Sequence, residues 1–208
     1  MDSQRNKEKI ADDSRYSSYE DYLRHQSQKT LDPERRKKWL GQEWEPKLLY
    51  FEKHFKKVTD SFPLMAHARA IALGARTGQE VEAMRKTGFD AIGIDIVPCP
   101  PLVLQGDIHK IPFPDNHFKF AFSNIFDHAL YPKTFVSEIR RVLAPGGLAL
   151  LHLQFDQTDE YGVTEISNPR EVANLFETDK VLWNGPMSPD PTIAMDWELL
   201  LQINKEQV

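Results

Sequence analysis

The chain has 208 residues, with 26 Lys and Arg against 31 Asp and Glu and a formal net charge of −5. This length suits one full α/β domain and is short for two. We expect no membrane span, because no apolar run approaches the roughly 18 residues that one needs, and no secretory leader. The single cysteine, Cys99, excludes an internal disulfide and a multi-cysteine zinc site. We therefore expect a cytoplasmic protein, and the acidic balance disfavours a nucleic-acid partner.

The charge is unevenly distributed along the chain. Residues 1–60 hold 14 Lys and Arg and 12 Asp and Glu and so carry +2, whereas residues 61–208 hold 12 and 19 and carry −7. The second region also contains nearly all the glycine. We therefore predict a helical, partly disordered N-terminal extension over 1–60 and a globular domain over 61–208.

The N-terminal extension shows helical periodicity after a polar start. Residues 1–15 are charged without a period, which predicts disorder. Helical spacing begins after them with Tyr16, Tyr19, Tyr22 and Leu23. Asp32 is predicted to cap a helix that begins at Pro33. Further apolar residues recur in steps of three or four and predict one helical stripe, with a possible break between 41 and 46: Leu40, Trp44, Leu48, Phe51, Phe55 and Val58. This stripe packs against the domain, or it forms a lid or docking surface.

Apolar runs and amphipathic segments alternate from residue 68 onward. The predicted strands cover 68–73, 91–96, 102–105, 118–123, 148–153, 180–183 and 197–203. The predicted helices cover 79–86, 135–143 and 171–176, the second ending before Pro145-Gly146-Gly147. Buried strands separated by helices indicate a mostly parallel, doubly wound sheet. Such sheets bind ligands at the carboxyl ends of their strands, so the loops after the first four strands are the candidate sites.

The first of these loops reads Gly74-Ala75-Arg76-Thr77-Gly78. Glycines allow a tight turn and close approach to a ligand, and the helix that follows offers free N–H donors to an anion. A plain strand-to-helix turn explains the same pattern. Asp95 ends the second predicted strand, 21 residues after Gly74. A carboxylate there accepts the hydroxyl protons of a ribose or is a solvated strand-end residue, and the glycine loop favours the ribose role.

Two further loops carry polar candidates. Asp107, after the third strand, suits an adenine amino group with Ile108 against the ring, although Gly-Asp is also a common turn. Asp127 and His128 follow the fourth strand. His128 can act as a base near neutral pH with the neighbouring carboxylate orienting it, or Asp127 caps a short helix with His128 at its edge.

No other site type assembles from the sequence. The seven histidines show no spacing typical of a metal-binding helix, so no metal site is predicted. There is no Gly-x-Ser-x-Gly sequence, and Cys99 lies between prolines with no evident base.

From Ala70 to about Gln154 the order of motifs resembles the class I S-adenosylmethionine (SAM)-dependent methyltransferases. The matching segments are ALGARTGQE, GIDI, GDIHKIPFPDNHFKFAFSN, FDHAL and FVSEIRRVLAPGGLALLHL. The last segment is typical of the small-molecule, type 11-like branch. GARTGQEV with FSNIFDHAL is similar to a group of plant methyltransferase-like proteins. The resemblance implies an α/β, Rossmann-like doubly wound sheet of about seven mostly parallel strands, and it leaves residues 1–60 uncovered.

The resemblance also implies SAM as the cofactor and a role for each loop. The glycine loop would cradle the methionine part, the acid after the second strand would hold the ribose, and the acid after the third would read the adenine. The end of the fourth strand would lie beside the transferable methyl group. The implied cofactor-binding residues are Gly74, Arg76, Gly78, Asp95, Ile96, Asp107, Ile108 and Asn124.

Two positions depart from the family pattern. Ala72 stands where an acidic residue is usual, and Arg76 stands where a glycine is usual. Arg76 points outward, pairs with the cofactor carboxylate, or blocks the pocket, and the sequence leaves these three alternatives open.

Two functions from different classes fit these residues. The first is SAM-dependent methyl transfer to a small-molecule acceptor, with His128 and Asp127 as the candidate catalytic pair. The second is a degenerate methyltransferase fold that serves as a non-catalytic binding or scaffold module. Ala72 and Arg76 support this hypothesis, because both depart from the family pattern. A nicotinamide-dependent oxidoreductase fits less well, because it leaves Asp107 and the Pro-Gly-Gly segment unexplained.

Overall fold

A computed structural model describes residues 13–155 and 160–205. The helices are α1 (Tyr19–Leu31), α2 (Pro33–Leu40), α3 (Trp44–Ser61), α4 (Gln79–Lys86), α5 (Pro132–Val142) and α6 (Pro169–Asn174). The strands are β1 (Arg69–Leu73), β2 (Asp90–Asp95), β3 (Val103–Gln105), β4 (Phe118–Ser123), β5 (Leu143–Leu153), β6 (Lys180–Pro186) and β7 (Trp197–Gln202). Residues 1–12, which hold most of the predicted disorder, lie outside the described residues. No helix in the described ranges is long and apolar enough to cross a membrane.

The seven strands form a single mostly parallel sheet in the order β3-β2-β1-β4-β5-β7-β6. Strands β1 to β5 pair in parallel, and β7 runs antiparallel to both of its neighbours. The predicted α/β, doubly wound fold is therefore confirmed. The strand order reverses between β1 and β4, which places a cleft at the carboxyl ends of these two strands.

The start of β5 differs from the prediction. The helix before it ends at Val142, so Leu143 belongs to the strand and not to the helix, and the predicted strand start at Leu148 is wrong. The pairing with β4 shifts register here: Phe118 lies opposite Leu143, whereas Phe120 lies opposite Leu148. Extra residues in one strand are accommodated as a bulge, and Gly146 takes a φ of 73° within it. The Pro-Gly-Gly segment is thus part of the strand.

Helix caps explain two other boundaries. The Asp32 carboxylate accepts a hydrogen bond from the Arg35 N–H at 2.7 Å, with Pro33 in the first turn of α2, as predicted. Asn168 accepts from the Arg170 N–H at 3.0 Å and starts α6 at Pro169, two residues before the predicted start. A polar side chain that satisfies a free N–H of the first turn defines where a helix begins.

The predicted stripe over 40–58 is split between two helices. Leu40 ends α2 and is 49% exposed, so its inclusion in the buried stripe is wrong. From Trp44 onward the stripe continues through α3, where Phe51 and Phe55 are fully buried. Their rings meet Phe122 of β4 edge to face, with centroids 5.5 and 4.9 Å apart. Helix α3 therefore shares one hydrophobic core with the sheet, although it lies in the charge-rich N-terminal region.

Replacing Phe55 by alanine should strongly destabilise the protein, because it leaves a cavity between α3 and β4. We expect a loss of about 3–5 kcal/mol in the free energy of unfolding, measured by urea denaturation. Leu49→Ala is the matched control on the same helix, since Leu49 is 56% exposed. It should change stability by less than about 1 kcal/mol. Equal losses in the two variants would contradict the packing of α3 on the sheet.

Candidate functional site

A cavity of about 170 Å³ lies at the carboxyl ends of β1, β2 and β4. Helix α1 covers it, with Tyr22, Gln26 and Lys29 in the wall. The structure brings nearly all of the predicted site residues to this cavity: Gly74, Arg76, Asp95, Ile96, Asp107, Ile108, Asn124, Asp127 and His128. Gly78 lies at the N-terminus of α4 and does not line the cavity.

The two loop glycines are required by the local packing. Gly74 has a φ of 77°, and a Cβ on it would lie 2.5 Å from the side chain of Ile125. Gly78 has a φ of 94°, and a Cβ added to it would lie 2.8 Å from the Cβ of Leu102. Positive φ disfavours any residue with a Cβ, and both positions also lack space for one. The interpretation of this loop as a tight strand-to-helix turn therefore has direct structural support.

Arg76 occupies the left-handed region with a φ of 45°. Its guanidinium lies over the ring of Trp39, 5.2 Å from the centroid, and 3.8 Å from the buried carboxylate of Glu80. Its backbone N–H donates to Asp95. The side chain is thus held at the cavity wall between α2 and α4, in contact with a ring and a carboxylate of this chain.

Asp95 is buried, and each of its carboxylate oxygens accepts a backbone N–H. Oδ2 accepts from Arg76 at 3.0 Å, and Oδ1 accepts from Val97 at 2.9 Å. Burial raises the pKa of Asp95, and these two hydrogen bonds oppose the rise. Because each oxygen has a second lone pair, the carboxylate is fixed in place and can still accept hydrogen bonds from the cavity.

Asp107 forms the predicted turn, and its second carboxylate oxygen contacts helix α1. Its Oδ1 accepts the N–H of His109 at 2.8 Å, which is an Asx-type turn. Its Oδ2 accepts the hydroxyl of Tyr19, on α1, at 2.7 Å. Burial acts to raise the pKa of Asp107, but the hydrogen bonds from His109 and Tyr19 outweigh it and hold the pKa below its usual value. The side chain therefore forms a turn and also faces the cavity as an anion.

Asp127 and His128 lie in a short 3-10 helix, Phe126–His128. The Nδ1 of His128 is 3.1 Å from the carbonyl oxygen of Tyr161, so Nδ1 carries the proton and donates it. The Nε2 lone pair lies 3.2 Å from the Lys29 ammonium and 3.6 Å from the Asp127 carboxylate. The predicted cap by Asp127 is not formed. Ile125 is the N-cap residue of this helix, and no side chain makes a capping hydrogen bond there.

Helix α1 contributes site residues that the sequence reasoning missed. Tyr19 contacts Asp107, Tyr22 donates to the carbonyl of His128 at 2.8 Å, and Lys29 contacts the His128 ring. The helical spacing of Tyr16, Tyr19, Tyr22 and Leu23 was the available signal, because aromatic residues on an otherwise polar helix indicate a buried face. Nothing in the sequence indicated which surface this face covers.

The comparisons with known proteins agree with this architecture. Residues 71–151, from β1 into β5, match the sequence model of a methyltransferase domain family. A search of curated proteins gives no match. The structure of a SAM-dependent methyltransferase from Aquifex aeolicus is similar with a TM-score of 0.55 and 19% identity, over 72% of this chain and 89% of that one.

Two further structures share the fold. One is a 1,6-didemethyltoxoflavin-N1-methyltransferase from Burkholderia thailandensis with bound 1,6-didemethyltoxoflavin and S-adenosylhomocysteine (TM-score 0.67, 14% identity, 94% of each chain). The other is the [4+2]-cyclase SpnF (TM-score 0.59, 15% identity, 74% of this chain and 80% of that one). The chain thus has an α/β, Rossmann-like fold of the kind found in methyltransferases, and its residues 71–151 match a methyltransferase-domain model, while its resemblance to plant proteins stays a prediction.

A methyl group added at Gly74 should destabilise the protein through two separable effects. Gly74→Ala forces alanine into positive φ and against Ile125, with an expected cost of about 2–4 kcal/mol. Gly146→Ala is the control, because Gly146 has a φ of 73° but nothing within 4 Å of an added Cβ. It should cost only about 1–2 kcal/mol by urea denaturation. Equal costs would show that Ile125 does not restrict the turn.

Proposed function

We propose that the cavity beneath α1 binds SAM and that the protein transfers the methyl group of SAM to a small-molecule acceptor. The observation that carries this proposal is that Asp95, the last residue of β2, and Asp107, after β3, face one cavity beside the Gly74 turn. Two carboxylates in this arrangement suit a ribose and a base with an amino group. The methyltransferase-domain match over residues 71–151 supports the same assignment.

The adenosine part of the cofactor fits the half of the cavity near β2 and β3. Asp95 would accept the ribose hydroxyls with the lone pairs that its two backbone donors leave available. Asp107 would accept the adenine amino group, and Ile96 and Ile108 would contact the faces of the ring. Burial of an aromatic base between aliphatic side chains adds an apolar contribution to binding.

The methionine part would lie along the loop from Gly74 to Gly78, beside Asn124. Arg76 belongs to this loop and would pair with the cofactor carboxylate, exchanging part of its contact with Glu80. Ala72 supplies no carboxylate for the methionine ammonium. This end of the cofactor is therefore held by fewer charged groups than the family pattern provides.

Bound SAM supplies a methyl group made electrophilic by a positive sulfur. The protein would hold the acceptor in line with that group and exclude water. Fixed proximity and orientation of the two reactants remove much of the entropic part of the activation barrier. For an acceptor with a tightly held proton, the Nε2 of His128 would be the base once the Lys29 ammonium withdraws, because Nδ1 already carries a proton and His128 lines the cavity. Asp127, 3.6 Å away, then stabilises the resulting imidazolium.

Helix α1 acts as a lid in this proposal. A volume of about 170 Å³ is below the roughly 300–1,000 Å³ of most small-molecule sites. Tyr19 donates to the Oδ2 of Asp107 and uses one of its two lone pairs, and Lys29 donates to the only lone pair of the His128 Nε2. Both contacts come from one helix, so a single displacement of α1 enlarges the cavity and releases the adenine acceptor and the base together.

A second candidate function is a non-catalytic binding module. It is favoured by Arg76, which is held by Trp39 and Glu80 at a position where the family has glycine, and by the contact between Tyr19 and Asp107. The fold it shares with a cyclase shows that architecture alone does not define the reaction. Binding of SAM to the unmodified protein separates the two functions, because a module that has lost the cofactor site binds none.

Asp95→Ala should weaken the binding of S-adenosylhomocysteine at least about tenfold, because two charge-assisted hydrogen bonds to the ribose are lost. Isothermal titration calorimetry on the full chain measures this change. Asp90→Ala is the matched control, since Asp90 is exposed at the opposite end of β2. The absence of binding to the unmodified protein would remove SAM from the proposal. An equal loss in both variants would remove the ribose role of Asp95.

Tyr19→Phe should strengthen the binding of S-adenosylhomocysteine by about two- to tenfold, since one hydrogen bond that competes for Asp107 is removed. Tyr16→Phe is the control, because the Tyr16 hydroxyl contacts His25, which does not line the cavity. Calorimetry of the two variants in parallel gives the difference. Weaker binding by Tyr19→Phe would instead place the Tyr19 hydroxyl on the cofactor and contradict the competition.

A further inference from the structure

Three potential metal ligands meet on the face of the sheet that α3 covers. His152 on β5 and Glu198 on β7 lie directly opposite each other in the antiparallel register. His54 reaches the same point from α3, two turns before the end of that helix. None of the three lines the cavity beneath α1. The cluster is therefore a separate polar site inside the core.

The distances between the potential ligand atoms are close to those found between the ligands of one metal ion. The Nδ1 of His54 is 2.7 Å and the Nε2 of His152 is 3.4 Å from the Oε2 of Glu198, and one ligand atom from each residue lies within 4.8 Å of the others. Zinc ligands at about 2.0–2.2 Å in a tetrahedron are about 3.4 Å from one another. The observed atoms reach that arrangement through side-chain shifts of about 1 Å.

His152 is the residue whose burial needs an explanation. It is 1% exposed, and neither ring nitrogen makes a hydrogen bond within residues 13–155 and 160–205, although Nε2 lies 3.4 Å from the Glu198 carboxylate. The ring lies edge to face with Phe122, 5.0 Å between centroids, in a setting where an apolar side chain would be stable. A buried unpaired polar group costs about 1–3 kcal/mol, and native proteins rarely keep one without a partner. A ligand on Nε2 supplies that partner.

We propose that His54, His152 and Glu198 bind a divalent transition-metal ion, with Zn²⁺ as the best match. Two imidazole nitrogens and one carboxylate oxygen form a donor set that zinc prefers, and a water molecule completes four ligands. The ion has a route from solvent, because a cleft of about 220 Å³ runs from the surface to His54 and Glu198. Tyr50, Trp183 and Asp190 are among the residues that line this cleft.

Lys57 competes with the ion for the same carboxylate. Its ammonium lies 2.8 Å from the Oε1 of Glu198, and its side chain is 58% exposed. The ammonium also lies 4.8 Å from the centre of the Trp183 ring, which can hold the cation when the carboxylate is occupied. Removal of the ammonium should therefore strengthen metal binding. If the three residues form only a structural ion-pair network with Lys57, its removal should produce no gain in metal affinity.

The test is a titration of the full chain, stripped with EDTA, with Zn²⁺ against a chromophoric chelator. Co²⁺ absorption in the visible range reports the geometry of the site. We expect one ion per chain, with affinity lowered at least about tenfold in both His152→Ala and His54→Ala. Lys57→Met should raise the affinity by about tenfold through loss of a competing charge. No SAM is present, so the outcome is independent of the cofactor proposal.

A matched control accounts for adventitious binding to surface histidines. His67→Asn removes an exposed imidazole at the opposite end of the sheet, and asparagine tolerates the φ of 64° found there. It should bind Zn²⁺ like the unmodified protein. If His152→Ala does not fold, the Zn²⁺ affinity of His54→Ala tests the proposal. His54 is partly exposed at the rim of the cluster, so its replacement should disturb the core less. Failure of the unmodified chain to bind one saturable ion, or unchanged binding by His54→Ala, would overturn the proposal.

Discussion

The aromatic contact between α3 and β4 determines where the N-terminal third of the chain lies. Phe51 and Phe55 are fully buried against Phe120 and Phe122, at centroid distances of 4.9 to 6.0 Å. Burial of two such rings stabilises the contact by several kcal/mol. Because α2 and α1 precede α3 through short connections, this contact also brings Trp39 to Arg76 and supports α1 above the strand ends. It places His54 opposite His152 in the same way.

The polar groups at the strand ends are held in place before any ligand arrives. The two backbone N–H groups on Asp95 and the Asx-type turn at Asp107 orient both carboxylates toward one cavity. A group that is already oriented loses little entropy when it binds. In the proposed function α1 is the lid over these groups, and its Tyr19 and Lys29 contact them through side chains alone.

The division of the chain by charge is only partly a division of the structure. Residues 1–60 carry +2 and lie outside the family resemblance, which suggested a separate extension. In the structure α3 belongs to the core of the sheet, and α1 forms one wall of the candidate site. Charge density reflects the solvent-facing side of these helices. Their buried sides carry Tyr22, Phe51 and Phe55, which the helical periodicity had identified.

The cluster of His54, His152 and Glu198 shows why a spacing search has limits. Metal motifs are visible in a sequence when the ligands lie on one helix or loop. Here each proposed ligand comes from a different element, and the antiparallel pairing of β5 with β7 brings two of them together. The prediction that the chain has no metal site rested on local spacing, which carries no information about such pairings.

The sequence by itself determined the doubly wound sheet, the loop that requires glycine at position 74, and the two acids at the end of β2 and after β3. These features depend on local periodicity, turn chemistry and strand-end positions, which neighbouring residues control. Only the tertiary structure decided that α1 covers the site, that Trp39 and Glu80 hold Arg76, and that Lys29 contacts His128. The contacts of α1 and α2 join residues far apart in the chain, and they form because α3 packs on β4. Their partners are therefore set by the folded core and not by the local sequence.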